Sequence, residues 1–397
     1  MNKGTKAVGW VVVVVLIVAG LYFILGRGGS VNNEAGTANS SDTGTGPIKL
    51  GVLQPLTGDA AIYGTSETHA IQVAVDQINK NGGINGRQIE TITEDGKCDP
   101  QVGGTAAQKL VAIDKVMMII GGACSGETLA AAAITEPAKV ILLSPSASSP
   151  KVSTAGDFVF RTYPSDALAG KVAASYDFTK LGAKKAAIIS ELTDYSQGLR
   201  GVYKEFFTKL GGEIVADETY NTGDTDFRTQ ILKLKTAKPD VIYVVPQSPT
   251  PGVNIIKQMH ENGVTAKIQT AEVLMDAQVA KENASVLNGT YGVEFAADYE
   301  TNSIAKSFKA AHVAMFNAEP GLFATNAYDA VNLLRDAIAA NNGKVDTTKI
   351  RDFLYAVKDW NGAVGALTID SNGDPLLGLH VRKIAGGAIT DIGPYTP

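Results

Sequence analysis

The chain has 397 residues, of which 19% are charged and 45% hydrophobic, with a formal net charge of −5 at pH 7. The first 47 residues carry three basic and two acidic side chains, so the rest sits near −6 without a basic stripe, which excludes an electrostatic nucleic-acid surface. The roughly 350 residues beyond position 47 exceed what one core organises, so two lobes are expected.

Residues 7–25 form an uncharged apolar run flanked by Lys3 and Lys6 before it and Arg27 after it. At about 1.5 Å per residue a helix there spans roughly 28 Å, close to a bilayer core, and no convincing small-x-small cleavage site follows Leu25. An N-terminal transmembrane helix serving as membrane anchor is favoured over a removed signal, with residues 28–397 outside. Residues 28–47 are rich in Gly, Ser, Asn and Thr and read as a flexible linker.

From Ile48 onward, short apolar runs alternate with helical patterns, as in parallel α/β structure. Strands are expected at 48–53, 89–93, 116–120 and 140–143, with helices at 65–81, 101–113 and 127–135. A second series places helices at 167–181, 197–210, 227–236 and 253–262. Its strands fall at 186–190, 214–220, 241–245, 267–270 and 291–295. Thr225 or Asp226 is expected to cap the helix starting at Phe227. The last third holds helices at 303–316, 324–340 and 347–357, then a hairpin-like stretch at 367–384. Its turn, 370–374, lacks the glycine and the final glutamate of a calcium loop and reads as an ordinary turn. In such sheets ligands bind beyond the carboxyl ends of strands, so the turns after Leu53, Ile120, Leu143, Ser190, Val245 and Thr270 are the places to search.

Cys98 and Cys124 are the only cysteines. In an exported chain that pair reads as a disulfide, and it would stiffen the turn Gly121-Gly122-Ala123-Cys124-Ser125-Gly126. No Gly-x-Ser-x-Gly elbow, His-Glu-x-x-His, Walker loop or Gly-x-Gly-x-x-Gly after a strand occurs, and the four histidines are scattered. No catalytic residue, metal site or cofactor is expected.

Ile48-Lys49-Leu50-Gly51-Val52-Leu53-Gln54-Pro55-Leu56-Thr57-Gly58, then Tyr63-Gly64 and 78–86, resemble the opening of type I periplasmic binding proteins. The resemblance is to their branched-chain amino acid (leucine/isoleucine/valine-binding) branch, the receptors of ABC transporters. Cys98-Asp99-Pro100, Cys124-Ser125, 143–148, 194–198, 223–227 and 328–331 extend it over nearly all of 48–390. It implies two Rossmann-like lobes joined by a three-stranded hinge, with 48–164 and 296–364 in the first and 165–295 and 365–397 in the second. It also implies an extracytoplasmic solute-binding receptor, not an enzyme, that closes on an amino acid and delivers it to an ABC permease. A sensor for a separate signalling protein, or a receptor for an amide or other small polar solute, remains the alternative.

By the same resemblance, Ser125 offers its hydroxyl and backbone N–H to the ligand carboxylate at a helix N-terminus. Ser148 adds donors to that carboxylate and accepts from the ammonium, and Ser146 contributes its backbone carbonyl to the ammonium. Glu272 is the acidic partner of the ammonium, while Tyr63 and Tyr195 wall the side-chain pocket. Gln247 stands where the branched-chain receptors often have an aromatic residue, which suits a polar ligand or leaves room for a larger one.

Overall fold

Seven residues, Ile48–Gln54, form β1, and all but Lys49 are buried, as expected of a strand with both faces covered. The computed structural model describes Asp42 and residues 44–397. The expected membrane helix at 7–25 and linker residues 28–41 and 43 lie outside the described residues. Among those described, no helix is long and apolar enough to cross a membrane.

β1 is the second strand of a parallel five-stranded sheet with β2 (Ile89–Asp95), β3 (Met118–Gly121), β4 (Ile141–Ser144) and β5 (Val159–Arg161), in the order β2-β1-β3-β4-β5. Its helices are α1 (Ala61–Lys80), α2 (Pro100–Ala112) and α3 (Ser125–Thr135). The chain switches direction across the sheet between β1 and β3, which opens a crevice at the carboxyl ends of those strands.

α4 (Asp166–Thr179) leads into the second sheet, which contains β6 (Lys185–Glu191), β7 (Glu213–Tyr220), β8 (Val241–Val245), β9 (Lys267–Ala271) and β10 (Tyr291–Glu294), all parallel. Its helices include α5 (Asp194–Lys209), α6 (Arg228–Ala237) and α7 (Pro249–Glu261), followed by the short α8 (Ala277–Glu282) and α9 (Ala284–Leu287). α10 (Ser303–Phe316), α11 (Ala324–Ala340) and α12 (Thr347–Tyr355) return to the first sheet, where Phe308, Val331 and Leu354 share a core with Ile48, Leu50 and Ile120.

Two local expectations need correction. The stretch 367–384 is not a hairpin: β12 (Gly365–Leu367) pairs with β11 (Trp360–Gly362), and only a single bridge, Ile369 to Pro375, spans the turn. The hairpin lies later, where β13 (His380–Ala385) and β14 (Ala388–Pro394) add two antiparallel strands beside β10. Leu367, Ile369 and Leu377 pack in the first sheet's core, whereas Leu379 and Val381 belong to the second. Finally, Asp42 and Gly46, expected in the linker, are docked: the buried Arg87 guanidinium binds the Asp42 carboxylate at 2.7 Å and the Gly46 carbonyl at 2.8 Å. A buried cation requires such partners, and the apolar-pattern reading did not anticipate Arg87 as buried. At α6, Asp226 Oδ1 accepts from the Arg228 amide at 3.2 Å, although Phe227 occupies the cap position itself.

Cys98 and Cys124 are joined by a disulfide, with Cα atoms 5.2 Å apart. Closing a loop of 26 residues restricts the unfolded chain by about 3 kcal/mol. Replacing both cysteines with serine is therefore expected to lower the unfolding free energy by about that amount, read from the urea midpoint. An unchanged midpoint would show that the bond adds nothing to stability.

Candidate functional site

The carboxyl ends of the parallel strands of both sheets converge on one cavity, and its walls include all seven residues expected to meet a ligand. Tyr63, Ser125, Ser146 and Ser148 come from the first sheet's side, and Tyr195, Gln247 and Glu272 from the second's, around a cavity of about 20 Å³. That is about the room of one water molecule, far below the roughly 300–1,000 Å³ of ligand pockets. Ala123, Cys124, Val273 and Phe323 complete the lining. Tyr63 donates to the Val273 carbonyl at 3.4 Å, Ser149 to the Asp194 carbonyl at 3.2 Å, and Lys151 pairs with the Asp194 carboxylate at 2.6 Å. These contacts join the two sides across the crevice.

The turn after β3 is built to present Ser125. Gly121 has φ of 136°, and a Cβ there would collide with the Leu53 carbonyl oxygen, so β1 and β3 can approach only with glycine. Ser125 then opens α3, and a helix N-terminus turns its amides toward an anion. Glu127 Oε2 reaches back to accept from the amides of Ala123 at 3.0 Å and Cys124 at 3.4 Å. Burial pushes Glu127 up to about 8, against the pull of those same amides. Sequence reasoning missed Glu127. Its signal was the spacing Cys124-x-x-Glu127, a capping-box pattern hidden by cysteine in place of serine.

The hydroxyl inventory gives the cavity a polarity. Ser125 Oγ accepts from the Ser149 amide at 3.1 Å, so its own proton remains to donate. Ser146 Oγ donates to the Ala123 carbonyl at 3.1 Å, and Ser148 Oγ donates to Asp166 Oδ2 at 3.0 Å, so both present lone pairs elsewhere. A donor pole thus sits at Ser125 and an acceptor pole at Ser146 and Ser148. Beneath Ser146 lies Glu67, fully buried and pushed up to about 8 by desolvation.

On the opposite wall, β9 ends in a single 3-10 turn, Glu272–Leu274, that leaves Glu272 only 2% exposed. Burial pushes Glu272 up to about 7, while its own backbone amide and the neighbouring Tyr195 hydroxyl pull it down. Tyr195 lies beside this carboxylate without a well-formed hydrogen bond. The backbone of Gln247 is held by Glu191, whose Oε2 accepts its amide at 2.9 Å. The Gln247 residue also borders a second, roomier pocket, with Asp59, Lys97 and Asp224.

Phe323 was not legible in the sequence. It sits just before α11 at φ of 66°, a conformation bulky residues avoid, and meets Tyr63 and Tyr163 edge-on at 5.6 and 4.9 Å. No periodicity marks a residue held that way by contacts from distant segments.

Removing the Ser125 hydroxyl deletes the one serine proton left free for a carboxylate. Ser125→Ala is expected to weaken binding of a carboxylate ligand by about 1.5–3 kcal/mol, the scale of a hydrogen bond to a charged group. Calorimetry giving equal Kd for both proteins would remove Ser125 from the site.

Residues 47–383 match the family model described as periplasmic binding protein. The leucine-, isoleucine-, valine-, threonine- and alanine-binding protein of Pseudomonas aeruginosa is 30% identical over 332 residues, covering 82% of this chain and 87% of that one. LivJ of Streptococcus pneumoniae, a branched-chain amino acid transporter substrate-binding protein solved with isoleucine, superposes with a TM-score of 0.80 at 31% identity, over 88% of this chain and all of that one. A Rhodopseudomonas palustris solute-binding protein solved with benzoate reaches the same TM-score at 22% identity, over 88% and 97% of the two chains, and shares the fold. An α/β protein of two lobes, with a cavity between their parallel sheets, this chain belongs to the periplasmic binding protein family.

Proposed function

We propose that this protein is the extracytoplasmic receptor of an ABC importer and binds an amino acid of branched-chain type, or a related small zwitterion, between its lobes. The observation that carries this reading is the polarity of one cavity, with the Ser125 hydroxyl and the start of α3 facing acceptors at Ser146, Ser148 and Glu272. A zwitterion loses its water at both ends on entering, and each charged end needs such compensation. The amino acids named for the Pseudomonas and Streptococcus proteins agree with it.

Opening and closing would turn on three crossings between the cores, near 162–166, 295–302 and 377–379, where residues change from one hydrophobic cluster to the other. The last crossing would then fall about a dozen residues after the 364/365 boundary that the resemblance implies. In the same reading the apolar residues 7–25 tether the receptor to the membrane beside its permease.

The test is a calorimetric screen of the purified protein against the twenty amino acids, several amides and 4-aminobutyrate. Saturable heat with an aliphatic amino acid and no chemical product is the expected result. Turnover of the ligand, or heat only from solutes without an ammonium, would reject the reading. Gln247 favours a second possibility within the same class, a ligand with a polar side chain or amide, because it adds a polar side chain to the lining beside Tyr195.

A further inference from the structure

Asp166, the first residue of α4, is fully buried behind Ser148 and does not itself line the cavity. Its Oδ2 receives the Ser148 hydroxyl at 3.0 Å, and its Oδ1 has no partner. Glu272, on the other wall, is equally buried, and the two carboxyl groups repel one another. The groups around them do not compensate this. Tyr63 of α1, Tyr163 after β5, Tyr195 of α5 and Tyr243 of β8 face the pair as neutral phenols, and Glu294 of β10 adds a third buried carboxyl. Arg161 of β5 is the cation that acts on Asp166, but two of its nitrogens are committed to the Asp374 carboxylate at 2.6 and 2.8 Å. Two carboxylates so enclosed cannot both keep their charge.

We propose that Asp166 and Glu272 together hold one proton in the empty site, and that an ammonium-bearing ligand expels it to solvent on binding. The inference rests on the amino-acid reading of the cavity and makes Asp166 a positioning residue acting through Ser148. Charge balances: one ammonium enters as one proton leaves, so the enclosed site gains no net charge from that end of the ligand. Ser148 is the pivot. With Asp166 ionised, the Ser148 proton points to Asp166 and its lone pairs face the ammonium. With Asp166 protonated, the carboxyl donates to Ser148, whose own proton turns toward the cavity. A carboxylate ligand lacking the ammonium brings charge of the wrong sign and leaves the proton in place, so the pair selects for amino acids over simple acids.

The direction of the pH dependence follows. Burial, with repulsion from Glu272 added, holds Asp166 well above its usual range, and burial raises Glu272 to about 7. The bound ammonium lowers both, so the complex carries fewer protons than the empty protein and affinity rises with pH. Affinity is expected to fall by up to about tenfold per pH unit as pH drops below neutrality.

Two measurements decide this. Calorimetric titration of the wild-type protein with L-leucine at pH 7, in two buffers of different ionisation enthalpy, is expected to report about one proton released per ligand; binding without release overturns the proposal. Infrared absorption of carboxylic acid carbonyls in the ligand-free protein is expected to lose one group in the double variant Asp166→Asn/Glu272→Gln. A loss of none, meaning both were ionised, or of two, meaning both were neutral, also overturns it. If neither L-leucine nor any other amino acid gives heat, the amino-acid reading falls, and the infrared count still decides the proton by itself.

Discussion

Glu272→Gln is expected to weaken an α-amino acid by about 2–5 kcal/mol, the cost of removing one partner of a desolvated charge pair. That is upward of about thirtyfold in Kd. Glutamine keeps the size of the side chain and an acceptor oxygen, so the 3-10 turn Glu272–Leu274 survives and the effect reports charge alone. The empty protein should become no less stable, because a buried carboxyl is itself a burden that desolvation makes visible in its upward shift to about 7. A paired measurement isolates the role: L-leucine should lose affinity, while 4-methylpentanoate, which is leucine without its amino group, should not. Equal losses for both ligands would show that Glu272 shapes the cavity without meeting an ammonium, and no loss for either would remove it from the site.

Much of this architecture was legible because parallel strands with both faces covered are read directly as unbroken apolar runs. Val241–Val245 is fully buried along its whole length, and its expected boundaries coincide with the observed ones. The helices Ser303–Phe316 and Ala324–Ala340 also begin and end where their patterns do. Short strands left no such trace: Val159–Arg161 has three residues, one of them an arginine, and a charged residue is normally evidence against a buried strand. The cavity wall was legible at the serines, Glu272 and Tyr63 through family strings and strand-end position. The groups that set its electrostatics were not. Glu67, Glu127 and Asp166 sit on helices, where an acidic residue ordinarily means a solvated face, and only the tertiary arrangement buries them. Pattern reasoning finds where a chain turns, whereas the burial of a charge is decided by segments far away in sequence.

Asp374→Ala is expected to cost about 3–5 kcal/mol of stability, the largest loss predicted for any exchange outside the cavity, because it strands a buried cation. Arg161 is fully buried, and every face of its guanidinium is used. Nε and Nη2 grip the two oxygens of Asp374, Nη2 also meets Ser153 Oγ at 2.6 Å, and Nη1 donates to the carbonyls of Ala147 at 3.2 Å and Ser149 at 3.1 Å. Those two carbonyls flank Ser148, so the same cation that pins the 370–374 turn also fixes a wall of the cavity. Asp374→Asn keeps one acceptor and should lose less, read as a smaller drop in the urea midpoint. Replacing both partners by apolar residues, as in Arg161→Met/Asp374→Leu, removes the stranded charge and should recover part of the stability. Ligand affinity should not recover with it, since the Ala147 and Ser149 carbonyls still lack their donor and Ser148 is free to shift. If stability and affinity return together in the double variant, the ion pair is a scaffold element with no hold on the site; if Asp374→Ala leaves the midpoint unchanged, the pair contributes nothing to the fold.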